Sequence, residues 1–157
     1  ARHPDHVPSL VAGAALALAA GQRLRAMSYA GTALELQPGN VEARLLRVRV
    51  AVMDGSADLA EQLLEEGLRL RPDSGELHEA SAWLRQLRGD GVGAMAALDR
   101  AARLGAPAWR VTYHRGLVLE TTGDLEGARG CYQRVIAERP DLQDAVRRLA
   151  GIEARQP

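Results

Sequence analysis

Residues 109–140, WRVTYHRGLVLETTGDLEGARGCYQRVIAERP, contain the pattern on which the chain is built. Apolar residues recur at helical spacing on both sides of Gly123-Asp124, which predicts two amphipathic helices of about 13 residues joined by a tight turn. Pro140 stops the second. Moved back by 34 residues at a time, the landmarks return: Gly123 falls on Gly89, Gly55 and Gly21, and Ala128 falls on Ala94, Ala60 and Ala26. Pro140 falls beside Pro107, then on Pro72, Pro38 and Pro4. With 16 glycines in 157 residues, four in one column by composition alone is on the order of a one-in-ten-thousand event.

The repeat predicts an all-α stack of helix pairs, each touching only its neighbours, in place of one globular core. The expected units are 7–40, 41–74, 75–108 and 109–142, with 1–6 as the end of a preceding unit and 143–157 as a capping or partial fifth-repeat helix. Helices are expected near 7–20, 23–36, 41–53, 57–70, 75–88, 91–104, 109–122, 125–138 and 141–154. Glycine at each turn suits a backbone with positive φ. Ala14, Val48, Ala82 and Gly116 form a small-residue column on the first helices, and the alanine column does the same on the second. Both are expected to be buried where helices approach closely. The sequence Gly105-Ala106-Pro107 departs from the pattern by moving the proline one place.

Composition agrees with thin helical layers. Hydrophobic residues make up 46% of the chain, charged residues 25% and aromatics 3%, with no phenylalanine. Leucine, alanine and valine must therefore supply the burial. Net charge is zero and every one of the 20 cations is arginine, a bias that suggests a GC-rich, bacterial coding sequence. The single cysteine, Cys131, excludes an internal disulfide and reads as a buried thiol. No apolar run is long enough to span a bilayer. The segment Val7–Ala20 imitates a signal-peptide core, but it stays in phase with the later repeats and reads as a buried helix.

The 34-residue period, the small residue in the first helix, the turn glycine, the alanine column and the closing proline together resemble tetratricopeptide repeats. The resemblance covers about four repeats and both edges. It implies a right-handed superhelical solenoid of antiparallel helix pairs whose first helices line a concave groove that binds a protein or peptide. Mapped onto this chain, the groove would present Val11, Ala15 and Leu18 from the first unit and Glu42, Leu45, Arg49 and Val52 from the second. Glu76, Glu79, Trp83 and Gln86 would follow from the third, then Arg110, Tyr113, Leu117 and Glu120 from the fourth. Trp, Tyr and Arg are common binding anchors. Chaperone-binding members of this family hold a terminal carboxylate with lysines and asparagines, whereas this chain has no lysine and its only asparagine, Asn40, lies in a loop.

Chemistry finds little footing, and neither a cofactor nor a catalytic residue is assigned. His3, Asp5 and His6 have a spacing that hints at a metal but sit at a terminus. His78 and His114 stand one repeat apart as groove or surface residues. Gly89-Asp90-Gly91-Val92-Gly93 imitates a phosphate loop without the lysine or the preceding strand, and reads as a turn. Two alternatives remain: an RNA-binding helical repeat using Arg44, Arg47 and Arg49, joined by Arg85 and Arg88, and a regulatory repeat domain attached to an enzyme or an export machine. Acids such as Glu61, Glu65 and Glu66 offset the arginines throughout, which argues against nucleic acid. The apolar first helix, with Val7, Leu10, Val11, Leu16 and Leu18, makes the N-terminal repeat the expected site of any self-association. On the terminal helix, Arg147, Arg148 and Glu153 are expected to face water.

Overall fold

The computed structural model describes residues 6–155. Nine α-helices and no strand occur among these: α1 Val7–Ala19, α2 Arg23–Leu36, α3 Val41–Met53, α4 Ala57–Leu70, α5 Gly75–Leu87, α6 Gly91–Arg103, α7 Ala108–Thr122, α8 Leu125–Glu138 and α9 Gln143–Glu153. Each bound lies within two residues of the sequence expectation. The chain divides into two compact units, one ending at Ala80 and the other starting at Ser81, inside α5. In the first unit α1 packs on α2 and α3, α2 on α3, and α3 on α4. In the second, α6 packs on α7, α7 on α8, and α8 on α9.

The turn glycines work as their column requires. Gly21, Gly55, Gly89 and Gly123 have φ of 73°, 73°, 80° and 90°. After each, the next amide donates to a carbonyl five residues back: Gln22 to Ala17, Ser56 to Ala51, Asp90 to Arg85 and Asp124 to Leu119, at 2.8–2.9 Å. That bond closes the first helix and reverses the chain. Asp90 and Asp124 then cap the second helix, each accepting from the amide three residues on, Gly93 at 2.8 Å and Gly127 at 2.9 Å. Asn40 caps α3 in the same way, through Ala43 at 2.9 Å.

Prolines act in two distinct ways. Gln37, Arg71 and Arg139 precede Pro38, Pro72 and Pro140, and their φ values of −139°, −136° and −132° take them out of the helix, as the proline ring demands of its predecessor. Pro107 instead opens a helix, as the N-cap of α7 with φ −54° and ψ 127°. The displaced proline thus has a physical reason. α6 stops one residue early, Gly105 takes φ 84°, and the amide of Ala106 donates to Ala101 at 3.0 Å. The link is still four residues long, at 104–107, as it is at 37–40, 71–74 and 139–142.

Both small-residue columns are buried. Ala14, Val48 and Ala82 are 0–2% exposed, Gly116 is buried, and Ala26, Ala60, Ala94 and Ala128 are at most 1% exposed. The first unit has a cluster built from Val7, Val11, Ala14, Leu18, Ala30, Leu34, Leu46 and Val50. This corrects one expectation. Val7, Val11 and Leu18 are core residues, not a sticky surface, and Leu10 packs against the same cluster. Of the five apolar residues named on α1, Leu16 alone is exposed, at 72%. Pro4, His3 and Asp5 lie outside the described residues; His6 is described and exposed. No helix among the described residues is long and apolar enough to cross a membrane.

Candidate functional site

The first unit offers less of the expected surface than its columns implied. On α3, Arg49 and Glu42 are exposed, while Leu45 and Val52 are half-buried. Val11 and Leu18 are in the core, and Ala15 is half-buried. Glu79, on the part of α5 that belongs to this unit, is 5% exposed, and Glu76 is exposed. The arginine trio does not form a basic patch. Arg44 is buried, donating from Nη1 to Glu66 Oε2 at 2.5 Å and from Nη2 to the Pro38 carbonyl at 3.0 Å. Arg47 is half-buried, which leaves only Arg49 open to solvent. The Glu66 carboxyl is held below the ordinary glutamate value, chiefly by the Arg44 hydrogen bond. Arg44 therefore ties the 37–40 link to α4 and is unavailable to a phosphate backbone.

The second unit gathers its groove residues more closely. Trp83, Gln86 and Arg110 are half-buried. Leu117 is 9% exposed and belongs to the cluster of Ala128, Tyr132, Val135, Ala145 and Ile152, so its side chain is spent on packing. The ring of Tyr113 leans on that cluster, its centroid 6.0 Å from Tyr132 and 5.7 Å from His114 in an edge-on arrangement. Tyr113 thus has two roles: it packs against that cluster and it lines a cleft. Glu120 is the hub. Its Oε2 accepts from the Tyr132 hydroxyl at 2.8 Å and from Arg148 Nη1 at 2.9 Å. Burial and the bond to Glu120 push the Tyr132 phenol well above its ordinary range. Burial pulls Arg148 down, but hydrogen bonds with Tyr113 and Glu120 outweigh it, so this guanidinium is held above its ordinary value.

Between α7 and α9 these groups line a cleft of about 390 Å³, completed by Asp144, Arg147, Gly151 and Arg155. Arg147 is paired with Asp144 on α9. Sequence reasoning placed Arg147 and Arg148 on a solvated cap. The signal that would have found them was available in the period. Carried one step further, the column of Arg110, Tyr113 and Leu117 falls on Asp144, Arg147 and Gly151, all three of which line this cleft. Arg147, Arg148 and Glu153 are exposed, as expected, but the ion pair of Arg148 to the preceding first helix was not legible, because its column neighbours, Leu46, Ala80 and His114, carry no hint of it.

Groups that could do chemistry are placed structurally. Cys131 is buried with a free thiol, 3.5 Å from Arg134 Nη2. His78 Nε2 lies 3.1 Å from the Pro72 carbonyl, and His114 packs on Tyr113. No group of three or more His, Cys, Asp or Glu side chains that could hold a metal occurs among the described residues. The imitation of a phosphate loop is the Gly89 turn followed by the Asp90 cap.

Comparison with known proteins gives a consistent answer. Two family models, both described as tetratricopeptide repeat, match residues 17–84 and 80–142. Among solved structures, PilW, a widely conserved type IV pilus biogenesis factor, superposes with a TM-score of 0.84 at 22% identity, over 94% of this chain and 69% of that one. A thermophilic TPR protein from Thermus thermophilus gives 0.84 at 19% identity, covering 98% of this chain and 82% of that one. YrrB, a TPR protein with an unusual peptide-binding site, gives 0.62 at 22% identity over 92% of this chain and 75% of that one. No curated protein matches by sequence. Identities this low establish a shared fold.

Proposed function

The chain belongs to the tetratricopeptide repeat family, and from that premise we propose that it is a non-catalytic scaffold segment of a larger bacterial protein that binds a protein or peptide. The binding surface is the set of first-helix side chains left open to solvent in each unit. Arg49, Glu42 and Glu76 supply it in the first unit; Trp83, Gln86, Arg110, Tyr113 and Glu120 supply it in the second. The observation that carries this reading is the state of Trp83 and Tyr113. Both rings are half-buried, held by packing yet still open at one side, and an aromatic anchor that loses little rotamer freedom on binding is the usual energetic centre of an interface. That one structural relative is described by its peptide-binding site supports the same class of partner. Any self-association uses Leu16 and Leu24 of the first unit, which are 72% and 88% exposed.

Selection of ligands from a displayed peptide library, followed by titration calorimetry, tests the proposal. Trp83→Ala should weaken the selected peptides by about tenfold or more, the scale of an interface anchor. Peptides indifferent to both Trp83→Ala and Tyr113→Ala would place binding elsewhere. The RNA alternative receives no support from the fold, because Arg44, one of the three arginines it needs, is consumed by Glu66 and Pro38.

A further inference from the structure

The cleft between α7 and α9 has a charge pattern that peptide binding in general does not require. Three arginines of the C-terminal segment, Arg147, Arg148 and Arg155, line it together with Tyr113 and the acids Glu120 and Asp144. The two acids are already engaged. Glu120 receives Tyr132 and Arg148, and Asp144 is held by Arg147. With Arg147, Arg148 and Arg155 against Glu120 and Asp144, the lining carries one more positive than negative charge. The pairs present also leave donors free. A guanidinium has five N–H groups, and Arg148 meets Glu120 through Nη1 and also bonds Tyr113, which leaves donors over. The Arg147–Asp144 pair is exposed on both sides, at 74% and 60%, and pairs of that kind are weak and readily exchanged.

We infer that this cleft receives the acidic side chains of an extended internal peptide segment, with Arg148 and Arg155 as the two carboxylate-binding groups and Tyr113 as an aromatic wall of the same cleft. The inference rests on the peptide-binding reading and names the chemistry of the partner at this one site. Spacing sets the motif. Arg148 and Arg155 are seven residues apart on a helix and its end, roughly 10 Å at 1.5 Å per residue. Two carboxylates two residues apart leave the same face of an extended peptide and are separated by roughly 7 Å, a gap the two long arginine side chains can match. A ligand carboxylate would use the outer edge of Arg148 in the forked geometry that arginine favours, while Glu120 continues to hold the inner edge. The site differs in residue type from a lysine-and-asparagine grip on a terminal carboxylate.

The probe is a fluorescein-labelled, C-terminally amidated Gly/Ser peptide carrying two aspartates two residues apart, read by fluorescence anisotropy. Binding should exceed that of the matched asparagine peptide by about tenfold at low salt, and weaken as ionic strength rises. Arg155→Gln alone should remove most of that preference. Arg148→Gln with Arg155→Gln should abolish it, with helical circular dichroism unchanged, while Arg100→Gln with Arg103→Gln on α6 should leave it intact. Equal affinity for the aspartate and asparagine peptides, or a preference that survives the Arg148/Arg155 double change, overturns the inference. So does a neutral peptide with a free C-terminal carboxylate that binds where the amidated aspartate peptide does not, or a single-stranded RNA oligomer that displaces the peptide from the same arginines. If library-selected ligands still depend on Trp83 while the aspartate probe fails, the peptide-binding reading stands and this assignment alone falls. If both fail, the broader reading falls with it.

Discussion

Gly116 and Tyr132 meet where α7 and α8 approach, and their sizes are matched. A Cβ at Gly116 would lie 2.7 Å from Tyr132 Cε1 and 3.1 Å from Cys131 Cβ. One repeat earlier the equivalent positions hold Ala82 and Leu98, both buried in one cluster. The larger side chain on the second helix therefore goes with the smaller one on the first. Gly116→Ala should cost about 1–3 kcal/mol through overpacking, offset by up to about 1 kcal/mol of gained helix propensity. In the Tyr132→Leu background the same change should become neutral or stabilising, because it recreates the Ala82–Leu98 pairing. Denaturant unfolding of the four proteins of that cycle checks this, and strict additivity would disprove the matching. A second residue-scale prediction concerns Glu66. Its carboxyl is depressed by Arg44, so the pair's contribution is present above the ordinary glutamate value of 4.5 and is lost as pH falls through the lower folded value. Half of the Glu66 side chain is in water, so Glu66→Gln should cost only about 1–2 kcal/mol at neutral pH. The variant should also show a shallower loss of stability on acidification below that value, measured by denaturant midpoints across the range. The column of small residues was legible in the sequence, but its pairing with the opposite column was not. Size matching is a property of two helices in contact, and a single column read alone does not contain it.

Within the helices, the caps explain why boundaries were read so closely. Each depends on residues close in sequence: glycine at positive φ, Asp or Asn at the N-cap, and proline two places beyond the last helical residue. Such signals are local and survive without tertiary knowledge. Asp124→Ala removes the bond to the Gly127 amide and should lower stability by about 1 kcal/mol, whereas Asp124→Asn should nearly preserve it. Gly105 was read only as an irregularity. It has φ 84°, so Gly105→Ala should cost about 1–2 kcal/mol from the left-handed backbone. The neighbouring Ala106→Gly, outside that conformation, should not reproduce that cost. Thermal unfolding distinguishes the two. The four-residue link that Gly105 and Pro107 maintain was not legible, because two changes that cancel look like one defect.

For the molecule as a whole, the sequence suggested an apolar N-terminal helix without showing which of its side chains were already used. Alternation at helical spacing cannot distinguish a face covered by the chain's own α2 and α3 from a face left open when nearly every position is apolar. Val7, Val11 and Leu18 are covered, and Leu16 is open. Leu24, at the start of α2, is open as well, and with Arg23, Arg25 and Asp54 it lines a shallow recess at that end of the first unit. An exposed aliphatic side chain that becomes fully buried in an association contributes roughly 1.5–3 kcal/mol, so two of them are enough to produce a weak dimer at high concentration. Leu16→Glu with Leu24→Glu should abolish concentration-dependent sedimentation while leaving the helical signal and unfolding midpoint close to the parent's. Leu18→Glu should do the opposite, placing a charge in the cluster with Ala14, Ala30 and Val50 and unfolding the first unit without any specific effect on association. Persistence of a dimer in the Leu16/Leu24 variant would move the contact to another surface, and a folded Leu18→Glu protein would contradict its assignment to the core.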